Sequence, residues 1–251
     1  MGVSNSDLNI PAKPSPVFVT TQWSVVLAAG QADTTAARAA LARLCQTYWY
    51  PLYAYVRRRG HSPHDAQDLT QAFFARLLAH QWVERADPTR GKFRTFLLTA
   101  MTRFLADEWD KLRAQKRGGQ AIHVPVQLDT AETRYGYEPV DTLTPEQAYE
   151  RRWTLTLLDT VLKRLQAEFV AEGKAELFDQ LYPCLTGSRE LMPYAELATV
   201  LGMNESAIKV AVHRLRKRYR QLLREEVAQT LDGSEDVDVE LRHLITLLAR
   251  P

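Results

Sequence analysis

YAELATVLGMNESAIKVAVHRLRKR, residues 194–218, decides how the rest of this 251-residue chain is read. Leu197, Leu201, Met203 and Ile208 place apolar side chains where two short helices must pack on each other and on a third. Ala198 is small where the helices cross. Gly202 stands where the turn between them requires a positive φ, which glycine alone adopts without steric cost. Asn204 is placed to cap the second helix, whose first turn, Glu205 to Lys209, is the part of such a motif that enters a major groove. The spacing predicts a helix-turn-helix with helices over 194–201 and 206–229.

The second helix carries a charge pattern that whole-chain totals hide. Thirty-two Lys and Arg against 30 acids leave a net charge of +2. Yet Lys209, Arg214, Arg216, Lys217, Arg218, Arg220 and Arg224 fall within sixteen positions that hold no acid, and the next sixteen, Glu225 to Glu240, hold seven acids and no Lys or Arg. Ile208, Ala211, Val212, Leu215, Tyr219 and Leu222 form an apolar stripe that docks the basic helix on its own domain. Ser206 and a ridge of Lys209, His213, Arg216 and Arg220 are then expected to face outward as a duplex-DNA surface. A solvated surface helix is the plain alternative for a charge run alone; the helix-turn-helix in front of it favours DNA.

Upstream, helical periodicity dominates. Leu41, Leu44, Cys45 and Tyr48 recur at helical spacing, Pro51 suits the first turn of a second helix ending at Gly60, and Ser62 with Pro63 opens a third. Ala66, Leu69, Phe73 and Leu77 lie on its inner stripe. Phe93, Phe96, Leu97, Ala100, Phe104 and Leu105 mark a fourth. Residues 118–145 hold three glycines, two of them adjacent at Gly118 and Gly119, three prolines and no sustained period, so a linker is expected there. The fold expected is all-α: two helical domains joined by a flexible linker, the second containing the helix-turn-helix. The boundaries are a flexible N-terminal arm at 1–19, a first domain at 20–118, a linker at 119–145, a second domain at 146–229 and an acidic C-terminal extension at 230–251.

Composition narrows the function classes. Hydrophobic residues at 45% and charged residues at 25% are ordinary globular values. The two cysteines, Cys45 and Cys184, form no CxxC pair, no apolar run reaches membrane-spanning length, and the N-terminus lacks a secretory pattern, so a cytoplasmic protein is expected. The six His residues form no HExxH, and no phosphate- or dinucleotide-binding glycine loop occurs. His61 and His64 lack a third metal ligand, and the acids of EDVDVE lack EF-hand spacing. No catalytic, cofactor-binding or metal-binding residue is therefore expected. A second candidate surface lies in RFLADEWDKLRAQKRGG, where Arg103, Lys111, Arg113, Lys116 and Arg117 share a helix with Phe104 and Trp109, a mixture of cations and aromatics that suits single-stranded DNA. A core aromatic pair with a basic helix end is its simpler explanation.

Taken together, these segments resemble bacterial RNA polymerase sigma factors of the sigma-70 family, of the two-domain extracytoplasmic-function (ECF) type. DAQDLTQAFFARLL resembles the family's polymerase-binding helix, which implies that Asp65, Asp68, Leu69, Gln71 and Phe74 contact core RNA polymerase. FRTFLLTAMTRFLADEWDKLRAQKR is similar to the segment that contacts and melts the minus-ten promoter element, which implies DNA roles for Arg103, Asp107, Lys111, Arg113, Lys116 and Arg117. The helix-turn-helix looks like the one that reads the minus-thirty-five element, through Ser206, Lys209, His213, Arg216 and Arg220. The partners implied are core polymerase and promoter DNA, with an anti-sigma protein as a further one and no membrane. A helix-turn-helix regulator that binds duplex DNA without recruiting polymerase is the competing reading. Two arrangements stay open for the acidic tail, which is hinged at Gly233 and Ser234 and ends in the amphipathic LRHLITLLA: a fold-back over the DNA face of the basic helix, or a solubilising tail whose short helix caps the domain.

Overall fold

The computed structural model describes residues 26, 35–79, 86–114, 143–186, 192–231 and 235–249. The elements are α1 (Thr35–Arg58), α2 (Pro63–Ala79), a 3-10 turn (Pro88–Arg90), α3 (Phe93–Ala114), α4 (Pro145–Ala171), α5 (Ala175–Leu181), α6 (Pro183–Thr186), α7 (Tyr194–Val200), α8 (Glu205–Ala228) and α9 (Val237–Ala249). No strand occurs among the described residues, so the expected all-α class is observed. The expected arm at 1–19 and most of the expected linker at 119–145 lie outside the described residues.

Helix starts follow the capping chemistry of the sequence. Ser62 accepts the Asp65 amide at 3.2 Å, and its hydroxyl donates to the Asp65 carboxylate at 2.6 Å. Thr144 caps α4 through a capping box with Gln147, and Pro145 fills the first helical position. Pro51 departs from expectation: it lies inside α1, one continuous helix from Thr35 to Arg58, instead of starting a second. Proline there removes one intrahelical hydrogen bond. The burial of Tyr48, Leu52, Tyr55 and Val56 on either side of it holds the helix together.

Two cores organise the helices. The first gathers α1, α2 and α3 around Tyr48, Leu52, Phe73, Phe93, Leu97, Met101 and Phe104, together with Val26. Tyr149, Trp153 and Leu157 of α4 complete it, as do Val227, Leu231, Leu244 and Leu247 from the end of α8 and from α9. The second takes Val161 and Leu165 from the same α4, Phe178 and Leu181 from α5, Cys184 from α6, Leu197 and Ala198 from α7, and Ile208, Val212, Leu215 and Leu222 from α8. The long helix α4 thus passes from one core to the other between Leu157 and Val161. Its first half packs along α1, with Trp153 Nε1 donating to the Tyr48 hydroxyl at 3.2 Å and the Tyr149 hydroxyl donating to the Arg94 carbonyl at 2.9 Å.

The described residues of the tail do not reach the outward ridge of α8. Helix α9 packs on α4 and on the end of α8. Glu240 is buried and pairs with Lys92 and Arg94, Glu235 lies 3.7 Å from Lys92, and Asp238 pairs with Arg224. The expected fold-back over Lys209, His213, Arg216 and Arg220 is therefore corrected. The apolar face of Leu244 and Leu247 finds its core beside α4, and this docking delivers the acids to cations of the first core and to the last cation of α8.

Candidate functional site

The helix-turn-helix forms from local chemistry. At the end of α7, Met203 N donates to Ala198 O at 2.9 Å and Gly202 N to Thr199 O at 3.3 Å, which closes the helix through Gly202 at φ 61°. Asn204 accepts the Ala207 amide at 2.7 Å and starts α8. Leu197, Ala198, Ile208, Val212 and Leu215 are buried, with Leu201 and Met203 packed against them. The inner stripe of α8 is as expected: Ile208, Val212, Leu215 and Leu222 are buried, and Ala211 and Tyr219 are partly so.

The outward side differs from the ridge read in the sequence. Successive helical residues step by about 100°, so the direction opposite the buried stripe is marked by Ser206, Val210, His213, Lys217 and Arg220, all exposed. Lys209 is exposed on the flank and pairs with Glu205 at 2.7 Å, a hydrogen bond that raises its pKa. Arg216 turns back: its Nε and Nη2 donate to the carbonyl of Cys184 at 3.2 and 2.9 Å, at the end of the chain segment beneath α8. Arg218 is held by Glu168 in a two-pronged contact at 2.7 Å on each prong, and Arg224 by Asp238. All five expected minus-thirty-five residues are exposed: Ser206, His213 and Arg220 project together, Lys209 flanks them, and Arg216 lies to the side with its guanidinium hydrogen-bonded to its own domain. Arg214 and Lys217 are exposed cations that the ridge omitted. Among the described residues the side chains of His213, Arg214, Lys217 and Arg220 have no hydrogen bond or ion pair, which leaves the cations Arg214, Lys217 and Arg220 without an internal counter-charge.

The first half presents two faces. On α2, Asp65 is exposed, Asp68 is half-buried and lies 3.6 Å from His64, and Leu69 and Gln71 are half-buried. Phe74 does not join them. It is 6% exposed and packs edge-on against Phe73, because six further positions along α2 from Asp68 carry the side chain to the core side of the helix. On α3, Arg103 and Asp107 are exposed, four residues apart on one side. Arg76 of α2 ties the helices together, 3.9 Å from Asp107 and 3.5 Å from Glu108, with its guanidinium over the Phe104 ring. Phe104 is buried, so of the two aromatics in the expected single-strand surface Trp109, 55% exposed, is the one at the surface. Lys111 and Arg113 belong to α3 but their side chains lie outside the described residues, as do Lys116 and Arg117 altogether.

Sequence comparison finds one similarity, and it lies in the first half. Residues 44–116 match Sigma-70 region 2. The match runs from Leu44 in α1 through all of α2 and α3, and so covers both faces just described. No curated protein and no solved structure matches the chain. Among the described residues no helix is long and apolar enough to cross a membrane, and no group of three or more His, Cys, Asp or Glu side chains converges to hold a metal ion.

Proposed function

We propose that the chain is a sigma factor of the ECF type, one that binds core RNA polymerase, directs promoter recognition and starts transcription. The observation that carries this reading is the conjunction in one chain of a Sigma-70 region 2 match over 44–116 and, downstream, a helix-turn-helix whose outward face is cationic. A regulator that binds only duplex DNA accounts for the second feature and leaves the first unused.

In this reading the chain transforms no substrate. Asp65, Asp68, Leu69 and Gln71 on α2 grip core polymerase. Arg103 and Asp107, with Trp109 and the basic residues Lys111, Arg113, Lys116 and Arg117, meet the minus-ten element, where cations neutralise phosphate and an exposed aromatic stacks on an unpaired base. The first turns of α8 enter the major groove at the minus-thirty-five element, with His213, Arg214, Lys217 and Arg220 along the backbone. Each contact is weak alone. Attached to one polymerase they become a single multivalent event, so that binding at one element raises the effective concentration at the other. The setting is the cytoplasm, where polymerase and promoters are found, and an anti-sigma protein would act by covering one of these faces.

The test is association with purified core polymerase. Asp68→Ala combined with Gln71→Ala should abolish complex formation while leaving circular dichroism and Tm nearly unchanged. A parallel loss of fold, or undiminished binding, contradicts the assignment of α2.

A further inference from the structure

Between Glu205 and Arg224 every exposed position of α8 carries a polar or charged side chain except one. Val210 is 46% exposed, four residues after Ser206 and three before His213, in the middle of the outward face. A β-branched residue loses rotamer freedom in a helix and forms helix less well than Ala, Lys or Gln. Val210 gains no core packing in exchange, whereas Val212, Leu215 and Leu222 of the same helix are at most 2% exposed. Single exposed apolar side chains are common on proteins, so the weight rests on position. Val210 is in the second turn of α8, and the N-terminal turns of a recognition helix are those that reach base edges in a major groove. The groups displayed there are hydrogen-bond donors and acceptors, which reward Ser206 or Lys209, and one apolar group, the C5-methyl of thymine.

We infer that Val210 is a specificity-determining residue that reads the methyl group of a thymine in the duplex element bound by α8. The inference rests on the DNA-binding reading above and sharpens it: the site contains at least one thymine whose methyl, more than its hydrogen-bonding edge, is recognised. Flanking residues fit such a contact. Lys209 is steadied beside Val210 by Glu205, and His213 and Arg214 lie one turn further on, where the helix leaves the base edges and nears the phosphates.

The experiment uses the full chain reconstituted with core RNA polymerase, and a duplex site first selected from random sequence. Each thymine of that site is replaced in turn by deoxyuridine, which removes the methyl and nothing else. One or two of these replacements should raise Kd about three- to fivefold, the value of one buried methyl group. Val210→Ala should weaken the thymine duplex by a similar factor and become indifferent to the same replacement. A selected site at which no deoxyuridine alters Kd, or at which Val210→Ala loses affinity equally on both duplexes, overturns the assignment while DNA binding stands. Failure to select any site overturns the DNA reading and the assignment together.

Discussion

Glu240→Ala is expected to lower the stability of the whole chain by about 3–5 kcal/mol, the range for removing one partner of a buried ion pair. Glu240 is 3% exposed and lies between two cations of the first core, Lys92 and Arg94, and Arg94 is itself 3% exposed. Arg94 packs over the Trp153 ring at 4.4 Å, so its charge cannot swing out to water when the carboxylate is lost. Its Nε and Nη1 have no hydrogen-bond partner among the described residues, which makes the Glu240 contact with Nη2 the main compensation for burying the charge. For a chain of this size each kcal/mol corresponds to about 2–4 °C, so Tm should fall by about 6–20 °C. Burial works to raise the Glu240 carboxyl, but the Arg94 and Lys92 charges and their hydrogen bonds outweigh it and hold the pKa below the ordinary value. A carboxyl depressed in the folded state contributes stability above its unfolded pKa of about 4.3. That contribution is lost as pH falls through the lower folded value. The wild-type chain should therefore lose stability in acid, and Glu240→Ala should lose less over the same range. Thermal and denaturant unfolding between pH 3 and 7 measures both effects. The matched control is Asp238→Ala, whose exposed pair with Arg224 should matter little. A Tm for Glu240→Ala within a degree or two of wild type at neutral pH would show that α9 does not anchor the first core.

Three further outcomes follow from the same geometry. Phe74→Ala should cost about 3–5 kcal/mol of stability by leaving a cavity beside Phe73, in contrast to Asp68→Ala, and equal effects of the two on Tm would refute the division of α2 into a core side and a binding side. Lys217→Ala or Arg220→Ala should weaken DNA binding similarly on all sequences and reduce the slope of log K against log salt by about one unit, whereas Arg216→Ala, which frees the Cys184 carbonyl, should show in unfolding before it shows in salt dependence; an unchanged slope in all three contradicts the rotated face. Gly202→Ala should lower stability by about 1–2 kcal/mol through the left-handed backbone alone, because an added Cβ would meet nothing within 4 Å, and a neutral effect in unfolding would remove the argument for the turn.

How far the sequence carried depended on how local the physics is. Gly202, Asn204 and the small Ala198 act within a few residues of one another, and the helix-turn-helix was legible from them. The inner stripe of α8 was legible for the same reason, since periodicity alone identifies the buried side. Which cations of α8 are held by partners inside the protein was not, because those partners are remote: the Cys184 carbonyl for Arg216, and Glu168, fifty residues upstream, for Arg218. The tail shows the same limit more strongly. Its acids read as a cover for the basic helix or as a solubilising run, while the partners of Glu240 stand 146 and 148 residues earlier in the chain. Pro51 misled because the penalty for a proline inside a helix is local and visible, while the tertiary packing that offsets it is neither. Phe74 was assigned by resemblance to a motif, and the helical step that carries it away from Asp68 to the core side of α2 could have been counted from the sequence.

The central claim is that α2 and α8 act together on one polymerase. Run-off transcription with purified core RNA polymerase on a promoter library tests it most directly. Transcripts are expected from a defined subset of promoters only when the chain is present, lost with Asp68→Ala plus Gln71→Ala and weakened with Arg220→Ala. Sequence-selective binding of duplex DNA by the chain, with no polymerase association and no transcript from any promoter, would contradict it.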